Sequence, residues 1–169
     1  MRGKSFTVPQ TMTKNGMPHT LPMSKYLFGL FKQLHDRKAN DYVFPGTGEA
    51  GHLVEPKKQI IYVERATFLI LNGVTTNEDI DKILREPPDD VISGIKFCLH
   101  DLRRTFITIA ESLDIPYAAL KKLLNHSDGN DVTGGYLQIT TDRLREPMER
   151  ISCKLMELMG IVQTAPVNR

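Results

Sequence analysis

The chain's 169 residues, 40% apolar and 25% charged with a formal charge of +2, fit one globular domain with a hydrophobic core and leave little room for two. No apolar run reaches the ~20 residues a membrane-crossing helix needs, and the basic opening of residues 1–10 lacks the apolar centre of a signal peptide. Cys98 and Cys153 have no paired Cys/His spacing, which argues against a zinc site and a disulfide framework and predicts reduced core residues in a cytoplasmic protein.

Charge is unevenly spread. Between Thr76 and Asp90 six acids face two bases, a local balance of −4, so the rest of the chain carries +6. A body of that charge permits a phosphate-backbone partner. A mixed solvated surface accounts for it as well.

Taken in chain order, Ser5–Val8 reads as a short strand. Asn15-Gly16 then lies between two extended segments, the preferred pair for a type I′ hairpin, with Lys14 beside the turn. Ser24 is a candidate N-cap for a first helix whose Leu27, Leu30, Phe31 and Leu34 recur at helical spacing up to the charged run His35-Asp36-Arg37-Lys38. Residues 41–52 are turn-rich and predict a surface loop. A second helix follows Pro56, runs through Ile60, Ile61 and Ala66 to about Leu71, and stops at Asn72-Gly73. The acidic stretch of about 76–90, with Pro87-Pro88, predicts a surface excursion holding at most a short helix.

A third helix is expected from about Asp101, with Leu102, Phe106, Ile109, Ala110 and Leu113 as its apolar stripe and Asp114 as its end. Pro116 opens a fourth, with Leu120, Leu123 and Leu124 inward and Lys121 and Lys122 outward. A polar loop leads to Tyr136. The last helix is expected from Thr141-Asp142, interrupted or restarted at Pro147 and ending at Gly160, with Met148, Ile151, Leu155 and Leu158 on one stripe and a frayed tail to residue 169. The fold class is therefore α+β, mainly α, with a small N-terminal antiparallel sheet.

Residues 99–106, Leu-His-Asp-Leu-Arg-Arg-Thr-Phe, concentrate the chemistry. His100 and Arg103 are three apart and share a helical face, Arg104 lies about a quarter-turn away nearer solvent, and Asp101 suits a cap at the helix start. An imidazole and a guanidinium projecting together from a helix N-terminus form an anion cradle. A merely solvated face is the plain alternative. His126 follows an apolar helix end and fits a capping role. Tyr136 follows Gly134-Gly135, which let the backbone swing a phenol into a site; an ordinary aromatic anchor is the alternative.

In their order, these segments resemble the catalytic domain of the tyrosine recombinases, the phage-integrase family, from roughly Ser5 to Arg150. Thr13-Lys14-Asn15-Gly16 with the following Pro18–Ser24 resembles that family's lysine hairpin. His100-Asp101-Leu102-Arg103 resembles its His-x-x-Arg box, Leu123–Ser127 its next histidine segment, and Gly134–Gln138 its nucleophile segment.

The resemblance implies the tyrosine-recombinase catalytic fold and site-specific cleavage and rejoining of DNA through a 3′-phosphotyrosine. Tyr136 would be the nucleophile, Arg103 and His126 would hold the phosphate, His100 would move a proton, and Lys14 would protonate the leaving 5′-oxygen. A phenol with pKa near ~10 needs such help at neutral pH. Arg104, Lys121 and Lys122 would contact the DNA backbone.

No metal and no cofactor is expected, since the covalent link conserves the bond energy. The expected partners are double-stranded DNA and further copies of the chain, as a tetramer on DNA, with no membrane and no small-molecule substrate. The expected location is the cytoplasm of a bacterial or phage-infected cell. The family's first arginine finds no match here, so the chain is expected to be the C-terminal catalytic part and to cleave poorly in isolation. Two other readings stay open: a non-catalytic helix–turn–helix module built on residues 100–127, and a type IB topoisomerase-like enzyme.

Overall fold

The computed structural model describes residues 4–86, 95–126 and 139–161. Among them lie a two-stranded antiparallel sheet, β1 (Ser5–Val8) and β2 (His19–Pro22), and six α-helices: α1 (Lys25–Asp36), α2 (Lys57–Leu71), α3 (Asn77–Arg85), α4 (Leu99–Ser112), α5 (Tyr117–Leu123) and α6 (Arg145–Leu158). The protein is thus mainly helical with a small N-terminal sheet. No described helix is long and apolar enough to cross a membrane. The chain forms two compact units, one of Met1–Arg37 with Arg104–Arg169, the other of Lys38–Arg103. The unit boundary falls within α4.

The first unit holds the main core. Ile109, Ala110, Ile115, Leu120, Leu144 and Ile151 bury against one another, with Phe106, Leu113 and Met148 packed at the edge. In the sheet, Ser5 pairs with Pro22 and Val8 with His19, while the Thr7 and Thr20 hydroxyls bond across it at 2.9 Å. α1 starts as its sequence predicts: Ser24 Oγ accepts from Leu27 N at 3.2 Å, and Glu149 of α6 adds its carboxylate to the same helix end by accepting from Lys25 N at 2.9 Å.

The ends of α4 and α5 are built alike. After α4, Asp114 takes φ 52° and Ile115 N returns to the Ala110 carbonyl. After α5, Asn125 takes φ 53° and His126 N returns to the Lys121 carbonyl at 3.0 Å. Both are left-handed caps that satisfy otherwise orphaned carbonyls.

A single 3-10 turn, Thr141–Leu144, leads into α6. Pro147 therefore falls in the first turn of α6, where a missing N–H costs nothing, and does not interrupt it. Ile151 and Met156 are buried in the core, whereas Leu158, expected on the same stripe, is 64% exposed. α6 packs against its own unit.

The second unit is built on α2 and α3. The α2 end is a Schellman cap at Asn72-Gly73, with Val74 N bonded to the Leu69 carbonyl. Thr76 caps α3 by accepting from Asp79 N. The acidic segment therefore does carry a short helix, fastened by Ile80, which is buried, and by Tyr62 of α2, whose hydroxyl donates to Asp81 at 2.5 Å.

The loop before α2 closes on itself: Pro45 bridges His52, Gly46 N bonds to the Gly51 carbonyl and Leu53 N to the Phe44 carbonyl. A Cβ on Gly46 would press into the His52 carbonyl. Gly46→Ala is therefore expected to cost the loop about 1–3 kcal/mol, read as amide hydrogen exchange at Gly46 and Leu53 roughly 5- to 150-fold faster. Unchanged exchange would refute the packing argument.

Several sequence expectations need correction. Asn15-Gly16 is not a two-residue turn. Only Gly16 has positive φ, 65°, and Gly16 N bonds to the Thr13 carbonyl, so the turn spans Thr13–Gly16 with Lys14 and Asn15 at its centre. A 3-10 turn at Gln10–Met12 precedes it. Thr13 Oγ1 donates to the Met17 carbonyl and Asn15 Oδ1 accepts from Met17 N, so side chains shape this longer connection.

α4 begins at Leu99, and Leu102 is 56% exposed and outside the stripe. Leu124 is half-buried and Lys121 half-buried, with the Lys121 Nζ 5.3 Å from the Tyr117 ring centre. Cys98 and Cys153 are exposed thiols. Cys98 sits in the turn before α4, and Cys153 faces away from Ile151 on α6.

Candidate functional site

The start of α4 carries His100 and Arg103, and two carboxylates fasten it within the second unit. Glu64 on α2 accepts from Phe97 N at 3.2 Å. Asp101 reaches back to Cys98 N at 2.9 Å. Asp101 is thus the third helical residue closing a cap on the residue before the helix, the reciprocal half of a capping box, and is not itself the N-cap. Its carboxylate also sits favourably in the positive end of the helix dipole. From this start His100 points out exposed and Arg103 is half-buried one turn on, while Arg104 is exposed on the part of α4 that belongs to the first unit. The separation of Arg103 from Arg104 by environment agrees with the helical geometry read from the sequence.

Lys14 and His126 lie in the first unit, and there the hairpin is fastened to the end of α5. Asn15 Nδ2 donates to Asn125 Oδ1 at 3.2 Å, linking positions 110 residues apart. Nearer the sheet, the buried His19 places Nε2 3.5 Å from the Leu123 carbonyl. Lys14 adjoins Asn15 and His126 adjoins Asn125, so each of these two exposed side chains leaves from the neighbour of a bonded amide. Lys122, exposed in the last turn of α5, and Lys121 add positive charge to this end, where cations also oppose the negative end of the helix dipole. Tyr136 and the loop leading to it lie outside the described residues. Among the described residues no group of three or more His, Cys, Asp or Glu side chains is placed to hold a metal ion.

The sequence marks Asn15 only as a turn residue, and gives no role to His19 or Asn125, which the structure brings into the docking of the hairpin on α5. A signal existed for Asn125: asparagine directly after an apolar helix end is the usual substitute for glycine in a left-handed cap. His19 had none, because a lone histidine in a four-residue strand reads as polar.

Burial holds the His19 imidazole below its ordinary pKa of 6.5, and Lys122 nearby lowers it further, against the opposing pull of the Leu123 carbonyl. The unfolded chain therefore binds the proton more readily than the folded one. The stability this histidine contributes is complete above about pH 6.5 and falls as pH drops toward its folded pKa. The thermal midpoint is expected to decline between pH 7 and pH 5. His19→Gln, whose amide still reaches the carbonyl but does not titrate, should flatten that decline; an equally steep decline in the variant would exclude His19 as its source.

No protein-family model, no curated protein and no solved structure matches this chain.

Proposed function

We propose that this chain is the catalytic part of a tyrosine recombinase, cutting and rejoining duplex DNA through a covalent 3′-phosphotyrosine. The observation that supports this most is the bonded pair Asn15–Asn125, which joins the hairpin of the lysine motif to the helix end of the second histidine motif. Two segments distant in sequence and matched independently to one family's pattern are neighbours in the fold. A fastened helix start presenting His100 and Arg103 supports it further.

In this chemistry the Tyr136 oxygen attacks the scissile phosphorus and gives up its proton toward His100. Arg103 and His126 stabilise the non-bridging oxygens as charge builds on them. The P–O5′ bond breaks and Lys14 delivers a proton to the departing 5′-oxygen. Reversal by another 5′-hydroxyl reseals the strand, so no cofactor enters. Exposed Arg104 and Lys122, with Lys121, suit phosphate contacts that position the duplex without reading its sequence.

The helix–turn–helix reading would make α5 the recognition helix. α5 spans only seven residues, and its end already bonds the hairpin, a contact that reading does not use. The test is a nicked suicide substrate mixed with the full-length protein. A recombinase leaves a protein–DNA adduct on a denaturing gel and a repressor leaves none. A topoisomerase would form the adduct and also relax a single supercoiled circle without pairing two sites.

A further inference from the structure

Asn125 occupies a left-handed position, φ 53°, where glycine is the cheapest residue because it has no Cβ to crowd the following carbonyl. Its side chain, however, accepts the 3.2 Å bond from Asn15 Nδ2, which glycine could not do. Asn15 in turn uses its own Oδ1 to hold Met17 N at 3.2 Å, so one amide shapes the turn with its oxygen and docks it with its nitrogen. The hairpin is also anchored at its base, where His19, buried, meets the Leu123 carbonyl. Tip and base thus grip the same helix end.

Resting on the function proposed above, we infer that Asn15 and Asn125 are positioning residues: their mutual hydrogen bond docks the turn carrying Lys14 against the segment carrying His126, so that the proton donor and the phosphate-holding histidine are presented together. Neither amide touches the reacting atoms. Without the bond the ten residues between β1 and β2 lose this anchor near the tip and keep the one at the base, and Lys14 samples a wider volume. Loss of positioning lowers the rate of the step that needs the lysine and leaves duplex binding, which depends on many phosphate contacts, in place.

The test compares wild type, Asn125→Gly, Asn15→Ala and the double variant in the full-length protein. Asn125→Gly keeps the left-handed cap and removes only the acceptor, so its thermal midpoint should equal or exceed that of wild type. Amide exchange at Gly16 and Met17 should rise in this variant while that of α5 stays unchanged. Single-turnover cleavage of the suicide substrate should slow about three- to tenfold in each single variant and no further in the double, with DNA affinity within twofold of wild type. Asn15→Asp, which keeps the acceptor for Met17 and can accept from the turned Asn125 amide, should recover most of the rate.

Unchanged exchange in Asn125→Gly overturns the docking. Faster exchange with unchanged cleavage, or single effects that multiply in the double variant, overturns the positioning role. A wild-type protein that forms no adduct refutes the proposed function, and the positioning role falls with it, while the exchange data still decide whether the docking bond exists.

Discussion

Tyr136→Phe is expected to abolish covalent capture of DNA by the full-length protein while leaving duplex affinity within about twofold of wild type. Phenylalanine differs by one oxygen, the atom that would become bonded to phosphorus in the proposed reaction. No neighbouring hydroxyl inherits the role without being delivered in line with the 5′-oxygen, so the loss should reach the detection limit of the assay. On the proposed function, affinity would be carried instead by the basic groups of the body, among them Arg104 and Lys122, which are exposed, and should weaken steeply with added salt in both proteins. Retention of adduct in the variant would remove Tyr136 as nucleophile.

The second large effect falls on Arg103. Its guanidinium would meet the non-bridging oxygens where charge develops, and a positioned donor of this kind is worth roughly 3–4 kcal/mol in the transition state, or a few hundredfold in rate. Arg103→Ala should therefore slow single-turnover cleavage a few hundredfold, with a much smaller change in binding. Arg103→Lys should recover only part of it, since an ammonium does not present the planar fork. Arg104→Ala, one residue on and exposed, should change cleavage less than fivefold. Equal losses for the two alanine variants would mean that both arginines act through general charge and that the face assignment of α4 is wrong.

The helix boundaries were the legible part of the fold, because capping chemistry is local. Ser24, Asn72-Gly73 and Asp114 each act at a helix end as their residue types imply. Where tertiary contacts decide, the sequence was silent or misleading. Asn15-Gly16 carries the signature of a tight hairpin, yet Asn15 spends its amide on Met17 and Asn125, and the turn widens to suit that partner. Leu102 and Leu158 keep helical period with buried neighbours but lie at the edges of their stripes and face outward. The cysteines look apolar in composition and are exposed because of the side of the chain on which each falls.

The candidate site divides the same way. The His100–Arg103 face follows from spacing of three on a helix. Fastening of that helix start by Glu64, 33 positions before its partner Phe97, and docking of the hairpin on α5 are long-range and leave no mark on the local pattern.

The proposed reaction turns on a covalent bond between Tyr136 and DNA, and mapping that bond is the most direct test. The full-length protein is trapped on a nicked suicide duplex, the adduct is digested with protease and nuclease, and the peptides are sequenced by mass spectrometry for a residual 3′-phosphonucleotide. The expected result is one modified peptide, with the mass added on Tyr136. A nucleotide on any other residue, or a protein that binds the duplex and yields no modified peptide, would contradict the assignment.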